Sequence, residues 1–385
     1  MKSRLLIVTS KWPDKTNSSD GGNSTVQELI DILEGEYIVD LLYFGKCAKS
    51  KLSKKINRII QYSHDFDHFE TYGVADYSKF EMRLKQSVLS AEVIKRYEQF
   101  YDKIILIHNM FILGFTYNDY KLMKKMVLFP MFTGEDYRRC GECVPDEYIS
   151  REKWLMDNVR IIIVPSLREK KTLIEEYEID EKKIHVIYRC VDRFPYKVHR
   201  IKSDEVIMIY IAAIRTQKAH NEAVLLLKKI VDLGINIKLF CIGAIQDKKS
   251  YEECLRIAKK NNVADRLFFT GNLQKNEMIA YIEKADINIS VSKWETFGRG
   301  IFEGFVSGIP TVVLERIECV NEISDKENLP ILCDNLNDMA HYICELVLND
   351  SRYDSESKKG KILRKELSLM NIKKKIKYAF ELERN

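Results

Sequence analysis

No stretch of this 385-residue chain approaches the roughly 18 unbroken apolar residues needed to cross a bilayer. The start, Met1-Lys2-Ser3-Arg4-Leu5, runs straight into a short apolar segment with no cleavage-site pattern behind it, so a secretory leader is not expected either. Charge of one sign is scarce: 62 Lys and Arg against 57 Asp and Glu leave +5, and a nucleic-acid reader would concentrate positive charge more strongly. The P-loop pattern G-x-x-x-x-G-K-[ST], internal repeats and low-complexity tracts are all missing. With 45% hydrophobic and 31% charged residues the chain is not disordered or collagen-like, and its length favours two domains over one. Nine cysteines, an odd number scattered along the chain, fit reduced thiols better than a disulfide framework. These features predict a cytoplasmic protein with no nucleic-acid partner. The modest charge neither requires nor excludes peripheral contact with the inner face of a membrane, and oligomeric state stays open.

Leu5-Leu6-Ile7-Val8-Thr9 is apolar and too short for a helix, and Ser10-Lys11-Trp12-Pro13 ends it as a loop ends a buried strand. After Gly21-Gly22-Asn23, the capping-box pattern Ser24-Thr25-Val26-Gln27 predicts the start of a helix with Val26, Leu29, Ile30 and Leu33 on one face. The apolar run at 39–44 completes a βαβ unit. Runs at 104–107, 126–129, 161–164 and 184–187 continue that series, and a second one follows at 206–211, 237–242, 267–269, 287–291 and 311–314. The pattern predicts an α/β protein of two doubly wound Rossmann-like domains, residues 1–195 and 196–365, facing each other across a cleft that takes the ligand at the strands' carboxyl ends. Residues 366–385, with Ile372, Ile376, Ala379 and Phe380 at helical spacing, read as an amphipathic helix packing back on the N-terminal domain.

The most informative stretch is Ser292-Lys293-Trp294-Glu295-Thr296-Phe297-Gly298-Arg299-Gly300-Ile301-Phe302-Glu303-Gly304-Phe305-Val306-Ser307-Gly308-Ile309-Pro310. A glycine-rich turn opens a short helix that Gly308 and Pro310 close. Gly298 and Gly300 let backbone N–H groups approach a ligand, and the unpaired N–H groups from Gly298 to Ile301, with the helix dipole, favour an anion such as a diphosphate. Glu295 before the helix and Glu303 within it accept hydrogen bonds only, which suits the vicinal hydroxyls of a sugar and a ribose.

This segment resembles the E-x7-E signature of retaining glycosyltransferases with the GT-B fold, family four of the sequence-based classification, usually written S-x-x-E-x-F-G-x-x-x-x-E-A-x-x-x-G-x-P. Ser292, Glu295, Phe297, Gly298, Glu303, Gly308 and Pro310 fall in register. The resemblance implies that Glu295 binds hydroxyls of the transferred sugar and Glu303 the nucleotide ribose, with the N–H groups of Phe297, Gly298 and Arg299 on sugar and phosphate. Gly304 stands where Ala is usual, a departure that helix propensity sets at about 1 kcal/mol. Gly21-Gly22 is similar to the family's diglycine loop near the donor phosphates, and His108 to a histidine facing the sugar. Gly243 and the turn Gly271-Asn272-Leu273 resemble donor-contacting backbone, Asn272 and Leu273 being the nucleobase readers. Tyr281 to Asp286 resembles a structural Y-x-x-A-D turn. The second domain of the family usually opens V-G-R-x-x-x-x-K-G, whose Arg and Lys neutralise the leaving diphosphate; Lys218 matches, Ala213 replaces the Arg, and Arg215 is expected to compensate.

The implied activity is metal-independent, retaining transfer of a hexosyl group from a UDP- or GDP-linked sugar donor to a hydroxyl acceptor, without a cofactor, through Glu295, His108, Lys218 and Arg215. Residues Phe132-Thr133-Gly134-Glu135-Asp136-Tyr137 are expected as an acceptor-side loop. Two readings stay open beside it: a catalytically silent GT-B subunit supporting a partner glycosyltransferase, which Ala213 would explain, and a nucleotide-sugar hydrolase or epimerase on the same fold. Cys140-Gly141-Glu142-Cys143 has no second pair at zinc spacing and reads as two free thiols. His64-Asp65-Phe66-Asp67-His68 lies in a charged segment rather than at a strand end, and the glycines at 298 and 300 miss the third position of a dinucleotide fingerprint.

Overall fold

The computed structural model describes residues 2–10, 12, 21–45, 56–62, 76–111, 113–197, 200, 203–323 and 329–381. Within them, strands β1 (Arg4–Thr9), β2 (Ile38–Phe44), β3 (Arg58–Tyr62), β4 (Lys103–Ile107), β5 (Met126–Phe129), β6 (Ile161–Val164) and β7 (Ile184–Val186) form one parallel sheet in the order β3-β2-β1-β4-β5-β6-β7. Strands β8 (Val206–Ile211), β9 (Ile237–Ile242), β10 (Leu267–Gly271), β11 (Ile287–Ser290), β12 (Thr311–Leu314) and β13 (Ile331–Cys333) form a second, ordered β10-β9-β8-β11-β12-β13. Each sheet begins on an interior strand, builds outward, then returns to build the other way. The reversal falls between β1 and β4 in the first sheet and between β8 and β11 in the second, and at such a point the loops leaving the two strands diverge and open a crevice. Helices cover both faces, which is why Leu5, Leu6, Ile7 and Val8 are all fully buried and the strands read as unbroken apolar runs. The edge strands β3 and β13 escaped the sequence reading because they are short and partly exposed.

The contacts divide the chain into two units. One takes β1, Gly22–Tyr188 and the residues from Lys375 onward; the other takes Arg189–Lys374, so the division falls at Tyr188 rather than at 195. In the first unit the end of helix Leu369–Glu381 buries Ile376, Ala379 and Phe380, with the Phe380 ring edge-on to Tyr37 at 6.4 Å and Lys377 paired with Glu36. In the second, helix Asp350–Glu366 crosses helix Arg299–Val306 so closely that a Cβ on Gly360 would stand 1.9 Å from the Phe305 carbonyl oxygen. Among the described residues no helix is long and apolar enough to cross a membrane.

Two local expectations need correction. The first helix spans Gly21–Leu33, one turn earlier than its capping-box pattern indicates, so Gly21 and Gly22 are its first turn and not a loop. First-turn N–H groups need no partner inside the helix, and glycine adopts that conformation without steric cost. Residues 132–137, expected as an acceptor-side loop, open a short capped helix instead. Thr133 caps helix Gly134–Arg139, its Oγ1 accepting from the Asp136 N–H while Asp136 accepts from the Thr133 N–H at 2.8 Å, and both residues are buried.

Behind that cap the fully buried Glu152 accepts the Gly134 N–H at 2.8 Å and the Tyr177 hydroxyl at 2.6 Å. Burial pushes the Glu152 carboxyl up to about 8 against the opposing pull of those bonds, and burial likewise raises Asp136. A folded value near 8 against 4.5 unfolded means that, between those limits, the unfolded chain has released a proton the folded chain keeps. Stability therefore falls as pH rises through that window, by up to about 1.4 kcal/mol per unit. Glu152→Gln keeps an oxygen for both bonds and is expected to remove this part of the slope. Urea unfolding of the two proteins from about pH 5 to about pH 8 checks it, and parallel slopes would refute the assignment.

Candidate functional site

The loops that follow β8 and β11 are clipped together at the reversal of the second sheet. The Lys293 N–H donates to the Gln217 carbonyl at 2.9 Å, and the Gln217 amide donates to the Trp294 carbonyl at 2.9 Å. The Tyr210 hydroxyl, on β8, lies 2.6 Å from the Lys218 carbonyl oxygen and 2.8 Å from Ser292 Oγ, and Ser292 donates to Glu295 at 2.7 Å. Arg316, just past β12, donates to the carbonyls of Ser292 and Val291 at 3.1 and 2.6 Å and so braces the loop from behind.

These bonds bring two predicted residues together. Lys218 Nζ lies 2.6 Å from both carboxylate oxygens of Glu295, and each side chain is nine-tenths withdrawn from solvent. Burial pulls the Lys218 ammonium below its usual range and Glu295 pulls it back up, while the nearby positive charge of Arg215 adds to the lowering. Arg215 is thus close enough to Lys218 to act on it, and its Nε is buried without a hydrogen-bond partner. Below the pair, His220 stacks on Tyr210 with ring centroids 4.6 Å apart; burial, then Lys218, pushes it down to about 3, so it is neutral at neutral pH.

Glycines shape the helix that follows. Gly298 precedes helix Arg299–Val306 in the left-handed conformation, φ +77°, which an L side chain rarely adopts. A Cβ on Gly300 would stand 2.1 Å from the Ile211 carbonyl oxygen, so the helix start is pressed against the end of β8, with Ile301 and Phe302 buried beneath it. At its other end the Gly308 N–H bonds the Phe305 carbonyl and the Ile309 N–H the Gly304 carbonyl, a Schellman close. Glu303, 1% exposed, carries Arg193 Nη2 on Oε1 at 2.7 Å, with Arg299 Nη1 4.0 Å from the same oxygen. Phe297 packs its ring on Phe302 at 5.0 Å.

The remaining predicted residues are placed as follows. Gly243 directly follows β9 and bridges to Gly271, and a Cβ on it would meet the Ala212 carbonyl at 2.3 Å; Asn272 is exposed and Leu273 half-buried. Asp286 anchors strands, accepting from the Ile207 N–H at 2.8 Å and pairing with Arg200 at 3.0 Å, in keeping with a structural turn. In the first unit His108 directly follows β4 at φ +105°, its Nδ1 accepting from the Met110 N–H at 3.2 Å. Cys140 and Cys143 are exposed and not joined in a disulfide, and residues 64–68 lie outside the described residues. Sequence reasoning missed Tyr210, Gln217, Arg193 and Arg316, whose roles depend on contacts between separate segments. It also missed Asn288, whose one available signal was a lone amide within an apolar run.

Residues 193–362 match the family model described as glycosyl transferases group 1. Glycogen synthase of Mycobacterium tuberculosis is 24% identical over 165 residues, 42% of this chain and 39% of that protein, so the match spans about two fifths of the relative's length. Sucrose-phosphate synthase from Thermosynechococcus elongatus has the same fold at a TM-score of 0.78, with 16% identity over 99% of both chains. Anabaena HepE, solved in complex with UDP and glucose, gives 0.75 at 14% identity over 98% of this chain and 99% of its own. The fold is accordingly GT-B.

Gly304 has a reason that helix propensity did not reveal. Asn288 is fully buried on β11, and its amide donates to the Ile301 carbonyl at 3.1 Å. A Cβ on Gly304 would stand 2.4 Å from that amide nitrogen. Gly304→Ala, the usual family residue, should therefore destabilise this chain by about 1–3 kcal/mol instead of strengthening the helix. Asn288→Ala in the Gly304→Ala background should recover part of the loss. Denaturant unfolding measures both, and a stabilised Gly304→Ala protein would contradict the account.

Proposed function

We propose, from the premise that residues 193–362 are a glycosyl transferases group 1 domain, that this chain is a retaining, metal-independent glycosyltransferase moving a hexosyl group from a UDP- or GDP-linked sugar to a hydroxyl acceptor. The observation that carries the reading is the Lys218–Glu295 pair, set where the second sheet reverses and directly ahead of a helix start opened by glycine. The difficult step is departure of a diphosphate from an anomeric carbon of oxocarbenium character. Lys218, Arg215 and the N-terminal, positive end of the dipole of helix Arg299–Val306 supply preorganised positive charge for that leaving group. In the free chain Lys218 compensates Glu295; with donor bound, the ammonium serves carboxylate and diphosphate together, and Glu295 is left to accept sugar hydroxyls. Glu303 accepts from the ribose. Retention is drawn from the family likeness, and a uridine donor is favoured by the UDP held by HepE.

Ala213 favours the alternative of a silent subunit, because the expected cation is missing from that position. The proximity of Arg215 to Lys218, with its Nε unbonded, supports an active site instead.

Thermal-shift measurements against nucleoside diphosphates and nucleotide sugars test donor binding. A nucleotide at about 100 times its Kd should add about 2.7 kcal/mol of stability, and a flat response to all of them would defeat the proposal. Turnover of the bound donor should be abolished by Glu295→Ala, and Arg215→Ala should lower kcat by about 10²–10³. Donor binding with no turnover on any acceptor would favour the silent subunit.

A further inference from the structure

Glu303 is almost completely withdrawn from solvent, and a buried carboxylate persists only where a cation and hydrogen bonds replace its water. Among the described residues the cation paired with it is neither Lys218 nor Arg215 but Arg193, whose Nη2 sits 2.7 Å from Oε1. Nothing in the E-x7-E pattern marks this arginine. Its placement is built: the carbonyls on either side of it, of Asp192 and Phe194, both accept from Arg364 Nη2 at 2.9 and 2.7 Å, and its guanidinium lies over the Phe194 ring at 4.8 Å. Arg299, one turn before Glu303, is 4.0 Å away and donates to the Cys190 carbonyl instead.

We infer that Arg193 is a positioning residue for nucleotide recognition. It pairs with Oε1 as an ion pair outside hydrogen-bond geometry, compensates the carboxylate, and leaves Oε2 as the acceptor for a ribose hydroxyl. A carboxylate has about four acceptor sites, so a guanidinium on one oxygen leaves room for a diol on the other. A guanidinium, always charged and weakly hydrated, suits a buried ion pair better than a compact, strongly hydrated ammonium. The inference rests on the proposed reading of Glu303 as the ribose carboxylate and adds the group that sets its geometry.

The experiment is calorimetric titration of the full chain with UDP and GDP and with their 2′-deoxy and 3′-deoxy counterparts. For the wild type a preference of about tenfold or more for the ribonucleotide is expected, the size of one hydrogen bond to a charged group. Arg193→Met should weaken ribonucleotide binding about tenfold and leave the deoxy form nearly unchanged, so that the ratio falls toward one, while Arg193→Lys should retain an intermediate ratio. An unchanged ratio in Arg193→Met overturns the inference, as does an equal loss for ribo and deoxy forms, which would mean that Arg193 grips phosphate or serves folding alone. If Arg193→Met does not fold, Glu303→Gln removes the buried charge. The ratio should already collapse in Glu303→Gln, and adding Arg193→Met should change it no further; a further change refutes the inference. A wild-type protein that binds no nucleoside diphosphate fails the proposed function itself, whereas binding without ribose preference fails only the roles given to Glu303 and Arg193.

Discussion

An ammonium and a carboxylate, both withdrawn from water at the point where the second sheet reverses its strand order, set the terms for the structure around them. Removing two charges from solvent is costly unless each lone pair and each proton finds a partner. Lys218 gives its ammonium to both oxygens of Glu295, Ser292 adds a hydroxyl, and Tyr210 ties the Lys218 backbone to Ser292. Gln217 and Arg316 then hold the two loops in the one arrangement that keeps the pair intact. The site is a consequence of topology: β8 and β11 are neighbours in the sheet although two strands separate them in sequence, so their loops leave side by side.

Close packing supplies the second constraint. Helix Arg299–Val306 is pressed against the end of β8 at Gly300, against Asn288 at Gly304 and beneath helix Asp350–Glu366 at Gly360. Each contact needs the missing Cβ of a glycine, and together they hold Glu303 where Arg193 reaches it. The helix is short and its propensity poor, so its position comes from tertiary contact and not from local preference.

Much of this was legible in the residues. Buried parallel strands announce themselves as apolar runs, and the turn from Gly298 to the close at Gly308 and Pro310 follows local rules of helix start and stop. Edge strands β3 and β13 did not show, because partial exposure breaks the apolar signal. The stretch around Asp136 misled in the other direction. Its aromatic and acidic residues suggested a loop able to hold a polar acceptor, yet Thr133 and Asp136 satisfy each other and Glu152 takes the Gly134 N–H and the Tyr177 hydroxyl out of water, and a polar residue buried with its partners looks the same in sequence as one in solvent.

The amino-acid order alone determined the α/β class, the two successive strand series and the short helix opened by glycine and closed at Gly308 and Pro310, since each follows from periodicity and from φ/ψ preferences that act within a few residues; the register of Glu295 and Glu303 came from resemblance to a known signature. Only the tertiary structure decided that Lys218 meets Glu295, that Arg193 meets Glu303, and that Asn288 forbids a methyl group at Gly304. Those pairings join segments far apart along the chain, and their strength depends on burial, which no local stretch of residues encodes.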